Sequence, residues 1–409
     1  MRTIINRSYT KLLTATFITR FGDSIDSIAF SWLVYVMTGS KVLMGSIFAI
    51  SMLPNLIVMP FAGVIADTFN KKTIVVIGDI LRALSVGTLA LFYLFNILEV
   101  WQLFVFVSIN SLFESFANPA RKSMLPSIIE EKDYLKGSSW LGTSSNVGEV
   151  IGLAVAGILI ATVGIWGTIL IDALTFMISA LLIIFMRFKD KRIEVKIKPK
   201  VRDYFTLIGQ GIGYLKKKKI LLSFLVLAAF VNFSLVPLNV LKPVYVVEVL
   251  NLGVEGLSYL GIAFLLGMVV GGYLMGAKFK NVNPINAMGL GLCLQGLMYI
   301  LLGVPAYVNF GQVYNFIFVI VVTFIFGSAF PLVSAPMQSI IMKTTAPEMI
   351  GRLSSIIGVI ALCAMPLGGV FVSVIGDKLS VPFLFIIMGI SGVTISSLFW
   401  FKNRYETLS

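Results

Sequence analysis

The sequence predicts an all-α integral membrane protein with twelve transmembrane helices, arranged as two six-helix bundles with pseudo-two-fold symmetry. Three observations predict it. Of the 409 residues, 58% are hydrophobic and 12% are charged, against about 45–50% and about 25% in an ordinary soluble domain. Twelve stretches each supply the roughly 20 mostly apolar residues that a helix needs to cross a bilayer. The two halves of the chain also resemble one another at an offset of about 215 residues.

The apolar stretches run over 12–37, 42–66, 73–96, 101–121, 139–164, 166–187, 220–247, 256–277, 284–304, 312–335, 353–376 and 381–401. Short polar or Gly/Pro-containing turns separate most of them. The first is too long and too charged for the h-region of a signal peptide, and no small-residue cleavage site follows it, so it is expected to stay in the mature protein. One connection is long. Residues 188–219 carry a basic run ending in Lys216–Lys219, and Tyr204, Phe205, Ile208, Ile212 and Leu215 fall at helical spacing. This segment reads as a basic linker with an amphipathic helix on the inner membrane surface. The expected organisation is an N-terminal bundle over 1–187, the linker over 188–219 and a C-terminal bundle over 220–409.

Positive charge orients the spans. With the N-terminus inside, 27 of the 32 basic residues fall on inner segments, and Lys41 and Lys378 fall outside. Both termini are therefore expected in the cytoplasm of a bacterial cell. The net charge of +13 then points to the anionic inner leaflet rather than to nucleic acid. With no His and only Cys293 and Cys363, the chain offers no His–metal site, zinc framework or Ser/His pair. It also lacks a phosphate-binding Gly-x-x-x-x-Gly-Lys-Ser/Thr loop. No enzyme, metal or cofactor is expected.

The repeat is legible in particular residues. Asn118-Pro119-Ala120-Arg121 after the fourth stretch is matched by Ser334-Ala335-Pro336-Met337 after the tenth, and Gly63 by the Gly271-Gly272 stretch of the eighth. Duplicated membrane bundles of this kind build transporters with a midplane substrate site.

The loop after the second stretch reads Gly63-Val-Ile-Ala-Asp67-Thr68-Phe69-Asn70-Lys71-Lys72. It resembles the Gly-x-x-x-Asp-Arg-x-Gly-Arg-Arg signature of the major facilitator superfamily. Thr68 replaces the arginine, and Asn70 replaces the second glycine, where it is expected to take the left-handed turn. The resemblance implies that Gly63, Asp67, Lys71 and Lys72 form a conformational-switch motif. Arg20-Phe-Gly22-Asp23, Thr38-Gly39-Ser40, Asp79-Ile-Leu-Arg82 and Asn118-Pro119-Ala120-Arg121 are similar to the branch of macrolide-efflux and siderophore-export proteins. Gly148, Gly152 and Gly157 resemble the family's antiporter signature, with Leu153 in place of its proline. The resemblance implies packing of this helix against the eighth. It also implies an arginine nine residues before Pro119, where this chain has Asn110.

Charge inside a span costs about 2.5–3.5 kcal/mol even on the lenient insertion scale. Setting aside Arg121 and Arg187 at the inner ends of their stretches, eight charged residues lie inside the first six: Arg20, Asp23, Asp26, Asp79, Arg82, Glu114, Glu149 and Asp172. The last six hold only Lys242. Spacing of i, i+3 predicts Arg20–Asp23 and Asp79–Arg82 pairs, with Arg20, Asp79 and Arg82 as a structural network joining helices 1 and 3. Asp26 and Glu149 lie near mid-span without a basic neighbour one turn away. They are the first proton-coupling candidates, with Glu114 and Asp23 next. Trp32, Asn232, Phe233, Asn239 and Met268 are the candidates for lining a substrate cavity.

The expected function is a monomeric secondary transporter, a proton-coupled exporter of lipophilic or cationic drugs such as macrolides working by alternating access. Its partners would be a small-molecule substrate, protons and the lipid bilayer. Export of a siderophore or a lipid, and a non-transporting membrane sensor on the same scaffold, are the alternatives.

Overall fold

The computed structural model describes residues 6–130, 133–187, 219–277, 282–308, 311–344 and 347–403. Over 59–68, 135, 219–221, 342–344, 347–356 and 403 the description is of backbone alone. The side chains of Gly63 and Asp67, and the whole of the 188–218 linker with its expected amphipathic helix, lie outside the described residues.

Four helices open the chain: α1 (Arg7–Thr38), α2 (Lys41–Thr68), α3 (Lys71–Leu94) and α4 (Val100–Ser123). A helical run over Tyr134–Ile184 follows. Gly164, at φ 78° and ψ 173°, breaks it into α5 (134–163) and α6 (165–184); a residue with a Cβ is strained at that φ. Then come α7 (Lys219–Glu248), α8 (Glu255–Ala277), α9 (Pro284–Gly303), α10 (Gln312–Thr344), α11 (Pro347–Ile375) and α12 (Val381–Asn403). Among the described residues there is no strand.

Ten of these runs are long and apolar enough to cross a membrane. Two differences separate that count from the twelve stretches of the sequence. The α5–α6 run counts once across Gly164, and α1 is not among the ten because Arg20, Asp23 and Asp26 interrupt its apolar run.

Local chemistry fixes the helix ends. The Asn6 side chain accepts from Tyr9 N at 2.7 Å, and Gly39 closes α1 at φ 57°. Asn70 corrects an expectation. Its φ is −65°, not left-handed, and its side chain accepts from Lys72 N at 3.0 Å and Thr73 N at 3.3 Å. Asparagine stands there as the N-cap of α3. The two lysines that follow differ in placement. Lys71 is buried. Lys72 donates to Ile184 O at 2.7 Å and Met186 O at 3.0 Å, and Lys11 donates to Phe185 O at 2.6 Å. Two cations thus close the C-terminal end of α6, where the helix dipole favours positive charge.

The chain divides into two compact units, Met1–Gly39 with Ile47–Lys200, and Ser40–Ser46 with Val201–Ser409. Within the first, glycines let helices approach closely. A Cβ at Gly148 would lie 2.5 Å from Phe17 O, and one at Gly152 would lie 2.5 Å from Phe21 O. This glycine face of α5, with buried Gly157, therefore seats α1. Within the second unit, Gly267 and Gly271 of α8 pack against Phe324 O and Ser328 of α10.

The same contacts recur in the second unit about 212–216 residues later. A Cβ at Gly368 of α11 would lie 3.0 Å from Phe233 O of α7, as Gly152 of α5 meets Phe21 of α1. Gly291 meets Leu332 across α9 and α10, as Gly78 meets Ala117 across α3 and α4. The cores correspond as well. Leu12, Val75, Leu125, Leu141 and Ile183 centre the first; Phe224, Met288, Ile340, Ile357 and Phe399 centre the second at the same offset.

Candidate functional site

The charges inside the first unit form two groups, separated by one turn of α3. The group at Asp79 is closed. Arg121 Nη2 donates to Asp79 Oδ1 at 2.7 Å and Oδ2 at 2.6 Å, and Ser179 Oγ donates to Oδ2 at 2.7 Å. Arg121 Nη1 also donates to Thr19 Oγ1. Asp79 is fully buried and Arg121 is 5% exposed. One ion pair thus ties α3 to α4, with hydroxyls from α1 and α6 adding to it; Arg121 Nε is left without a partner among the described residues, so the pair is well but not completely satisfied.

The Asp79–Arg82 pair expected from i, i+3 spacing does not form. Arg82 instead donates from Nη2 to Asp23 Oδ1 at 2.5 Å and from Nε to Asn110 Oδ1 at 2.6 Å. Its guanidinium carbon lies 4.0 Å from the centroid of the Phe176 ring, a cation–π contact. The expected Arg20–Asp23 pair is present at 3.6 Å, and Arg20 also reaches Glu114 at 3.8 Å. Asn118 Nδ2 donates to Glu114 Oε1 at 2.9 Å. The network therefore joins α1, α3, α4 and α6, not α1 and α3 alone.

Two more carboxyls complete this second group. Asp172 on α6 is fully buried, and Thr175 Oγ1 lies 3.1 Å from its Oδ1. Its Oδ2 has no hydrogen-bond partner among the described residues, nor has Oδ1 of Asp26 on α1. The backbone of Gly22 packs on Asp172 and Thr175, which lets α1 and α6 close at this level. Four carboxyls, Asp23, Asp26, Glu114 and Asp172, thus stand against two guanidiniums, Arg20 and Arg82, which form ion pairs with Asp23 and Glu114. Glu149 stands apart, exposed on α5 beside Gly148.

Among the described residues, the positions of the second unit equivalent to this group carry no charge; the half-buried Lys242 of α7 lies one turn beyond Leu238, the counterpart of Asp26. A cavity of about 10 Å³ is lined there by Ser234, Leu235, Leu292, Gln295, Tyr299 and Met388 among others. By the repeat offset, Leu235 stands for Asp23, Leu292 for Asp79, Gln295 for Arg82 and Met388 for Asp172. Gln295 is 7% exposed, and its Nε2 has no partner among the described residues.

The family model described as Major Facilitator Superfamily matches residues 12–364. The chain belongs to the major facilitator superfamily. It is a multi-pass membrane transporter of a small-molecule substrate, not an enzyme. Macrolide efflux protein A of Streptococcus pyogenes is 23% identical over 352 residues, covering 86% of this chain and 85% of that protein. The Staphyloferrin A transporter of Staphylococcus aureus is 22% identical over 398 residues, covering 96% and 95%. Among solved structures, the nucleoside transporter NupG superposes with a TM-score of 0.76 at 13% identity, covering 98% of this chain and 100% of that one. That likeness shows the major facilitator fold.

Within that fold, Asn110 occupies the α4 position at which resemblance implied an arginine, and the Arg82 guanidinium of α3 reaches it. Sequence reasoning missed Arg121, which it assigned to the inner boundary. A signal was present, since Asn110, Glu114, Asn118 and Arg121 fall on one face of α4 by i, i+4 and i, i+3 steps. Asp172 was legible as a charge within a span, but nothing in its own helix marked its role. The described contacts of the cavity candidates are local. Trp32 tilts against Tyr35 at 5.8 Å and Phe233 against Phe371 at 5.3 Å. Asn232 Nδ2 donates to Ala228 O at 2.8 Å, Asn239 is exposed and Met268 is half-buried. None of these residues lines the small cavity beside Gln295.

Proposed function

We propose that the protein is a proton-coupled exporter of lipophilic or cationic drugs, macrolides among them, working by alternating access. One observation carries this reading: four carboxyls lie with two guanidiniums inside the first unit, two of them in ion pairs, and the described residues at the equivalent positions of the second unit are uncharged. An interior that disfavours unbalanced charge calls for a proton or a cationic group to restore balance. Asp26, Asp23 and Glu114 supply that site, and Glu149 is the outlying candidate. Arg20 and Arg82 hold the cluster together, while Asp79 with Arg121 is structural. The similarity to macrolide efflux protein A supports drug export.

The wider reading includes both termini and the 188–219 linker on the cytoplasmic side of the bacterial cell membrane, between bundles at 1–187 and 220–409. It also includes a monomer, substrate contacts from Trp32, Asn232, Phe233, Asn239 and Met268, and a switch at Gly63, Asp67, Lys71 and Lys72. The similarity to the Staphyloferrin A transporter favours a second reading, export of a siderophore or related metabolite.

The test is transport in proteoliposomes with an imposed pH gradient, using a macrolide and a lipophilic cation as probes. Accumulation against the probe's gradient that collapses with the pH gradient is expected. Indifference to the pH gradient removes proton coupling. Failure to move either probe, with movement of a ferric-siderophore ligand, selects the second reading.

A further inference from the structure

We propose that Asp172 and Asp26 form a carboxyl pair that holds one exchangeable proton, and that Arg82 is the cation that answers its departure. This rests on the proton-coupled reading and assigns its proton to particular atoms.

The geometry singles out these two among the cluster's four carboxyls. Asp23 contacts both guanidiniums, and Glu114 has Arg20 and the Asn118 amide. Asp26 Oδ1 and Asp172 Oδ2 are the two buried carboxylate oxygens without a partner among the described residues. They belong to α1 and α6, which Gly22 brings together at Asp172. The charged groups acting on Asp172 are Asp26 and Asp23 on α1 and Arg82 on α3; those acting on Asp26 are Arg82, Asp23 and Glu114 of α4. The nearby Asp79 carboxylate already has Arg121 and Ser179 on its two oxygens. A proton on the pair leaves the cluster with one unmatched negative charge fewer, and its carboxylic O–H supplies the donor that the orphan oxygens lack.

The step balances simply. The proton passes from the pair to water on whichever side is hydrated, and one carboxylate remains. Arg82 is placed to follow it. Its guanidinium already rests on Phe176, one turn from Asp172 on the same helix. Moving toward Asp172 would loosen its bonds to Asp23 and Asn110, and so its hold on α1 and α4. Proton release is thereby linked to the packing of three helices.

Infrared difference spectra between low and high pH test this on the purified full-length protein in liposomes, with no transported ligand required. Wild type is expected to show a carboxylic acid C=O band that titrates. Asp172→Asn and Asp26→Asn should each abolish it, and Asp172→Glu should restore it at a shifted frequency. Thr175→Val, which removes the hydroxyl beside Asp172 Oδ1, should shift the wild-type band. A band lost in Asp26→Asn but unchanged in Asp172→Asn overturns the pair. So does a wild type with no titrating band. If Asp172→Asn does not fold, an unchanged band in both Asp172→Glu and Thr175→Val overturns it. Wild-type transport indifferent to the pH gradient, with the band behaving as expected, defeats the coupled reading and leaves the pair standing.

Discussion

The two six-helix units share their packing and differ in their chemistry. α5 seats α1 through Gly152 as α11 seats α7 through Gly368, and the two cores use equivalent positions. At the level where the first unit places Asp23, Arg82 and Asp172, the second places Leu235, Gln295 and Met388. Backbone geometry thus does not require those charges. The second unit reaches the same helix arrangement with leucine, glutamine and methionine, so ionisable groups kept at this level in the first point to a role other than building the bundle.

The hardest way to break the comparison is to unpair Asp79 and Arg121. Removing one member of a buried pair costs about 3–5 kcal/mol. Asp79→Asn or Arg121→Gln should therefore abolish recovery of monodisperse protein, read by size-exclusion chromatography and thermal unfolding in detergent. The double variant Asp79→Leu with Arg121→Met imitates the second unit and should recover much of the loss. If single and double variants behave alike, the pair is not what holds α3 to α4.

Energy coupling should follow the open cluster. Asp26→Asn should lower uphill, pH-gradient-driven export by at least about tenfold, a change worth about 1.4 kcal/mol. Glu149→Gln, outside the cluster, should lower it less, and Gln295→Leu should leave it unchanged. Initial rates in proteoliposomes with and without a pH gradient separate the three. Equal losses in Asp26→Asn and Gln295→Leu would remove the distinction between the units.

Glycine packing tests the similarity rather than the difference. Gly152→Ala brings a Cβ to 2.5 Å from Phe21 O, and Gly368→Ala brings one to 2.7 Å from Val236 Cβ. Both should destabilise by about 1–3 kcal/mol, the usual range for overpacking. Gly152→Ala should cost more, because a backbone carbonyl yields less than a side chain. Thermal midpoints of the two variants decide the order.

The smallest effect is a gain. Gln295 buries an amide nitrogen without a partner among the described residues, and removing such a group can be nearly neutral or stabilising. Gln295→Leu should raise the thermal midpoint slightly. A clear fall would show that the amide is satisfied in the membrane, for instance by a water in the small cavity.

Most of the fold was legible because a bilayer imposes a length and an apolar composition on every span. Gly164 falls where the fifth stretch was expected to end. The presence of charges was equally plain, since an ionisable side chain stands out in an apolar run. Their partners were not. Helical spacing reports neighbours on one helix, so it offered Arg82 to Asp79. The structure instead pairs Asp79 with Arg121, 42 residues away, and Arg82 with Asp23, 59 residues away. Asn70 misled for a related reason, because the residue types that tolerate a left-handed turn are also good N-caps. Gln295 went unremarked because one uncharged polar residue in a span carries little signal.

The Asp79–Arg121 pair also bears on how the chain enters the membrane. An insertion machinery that releases helices one at a time would present Asp79 to lipid before its counter-ion had been synthesised, and then Arg121 on a second helix. An unpaired aspartate in a span opposes partitioning, by up to about 2.5–3.5 kcal/mol at the helix centre; Arg121, near the end of α4, costs less. Only the short turn between Leu94 and Val100 separates α3 from α4, so the two can leave together as a hairpin with the opposite charges already joined. Biogenesis of the first bundle would then proceed by helix pairs, with α3 waiting beside the translocon until α4 has emerged.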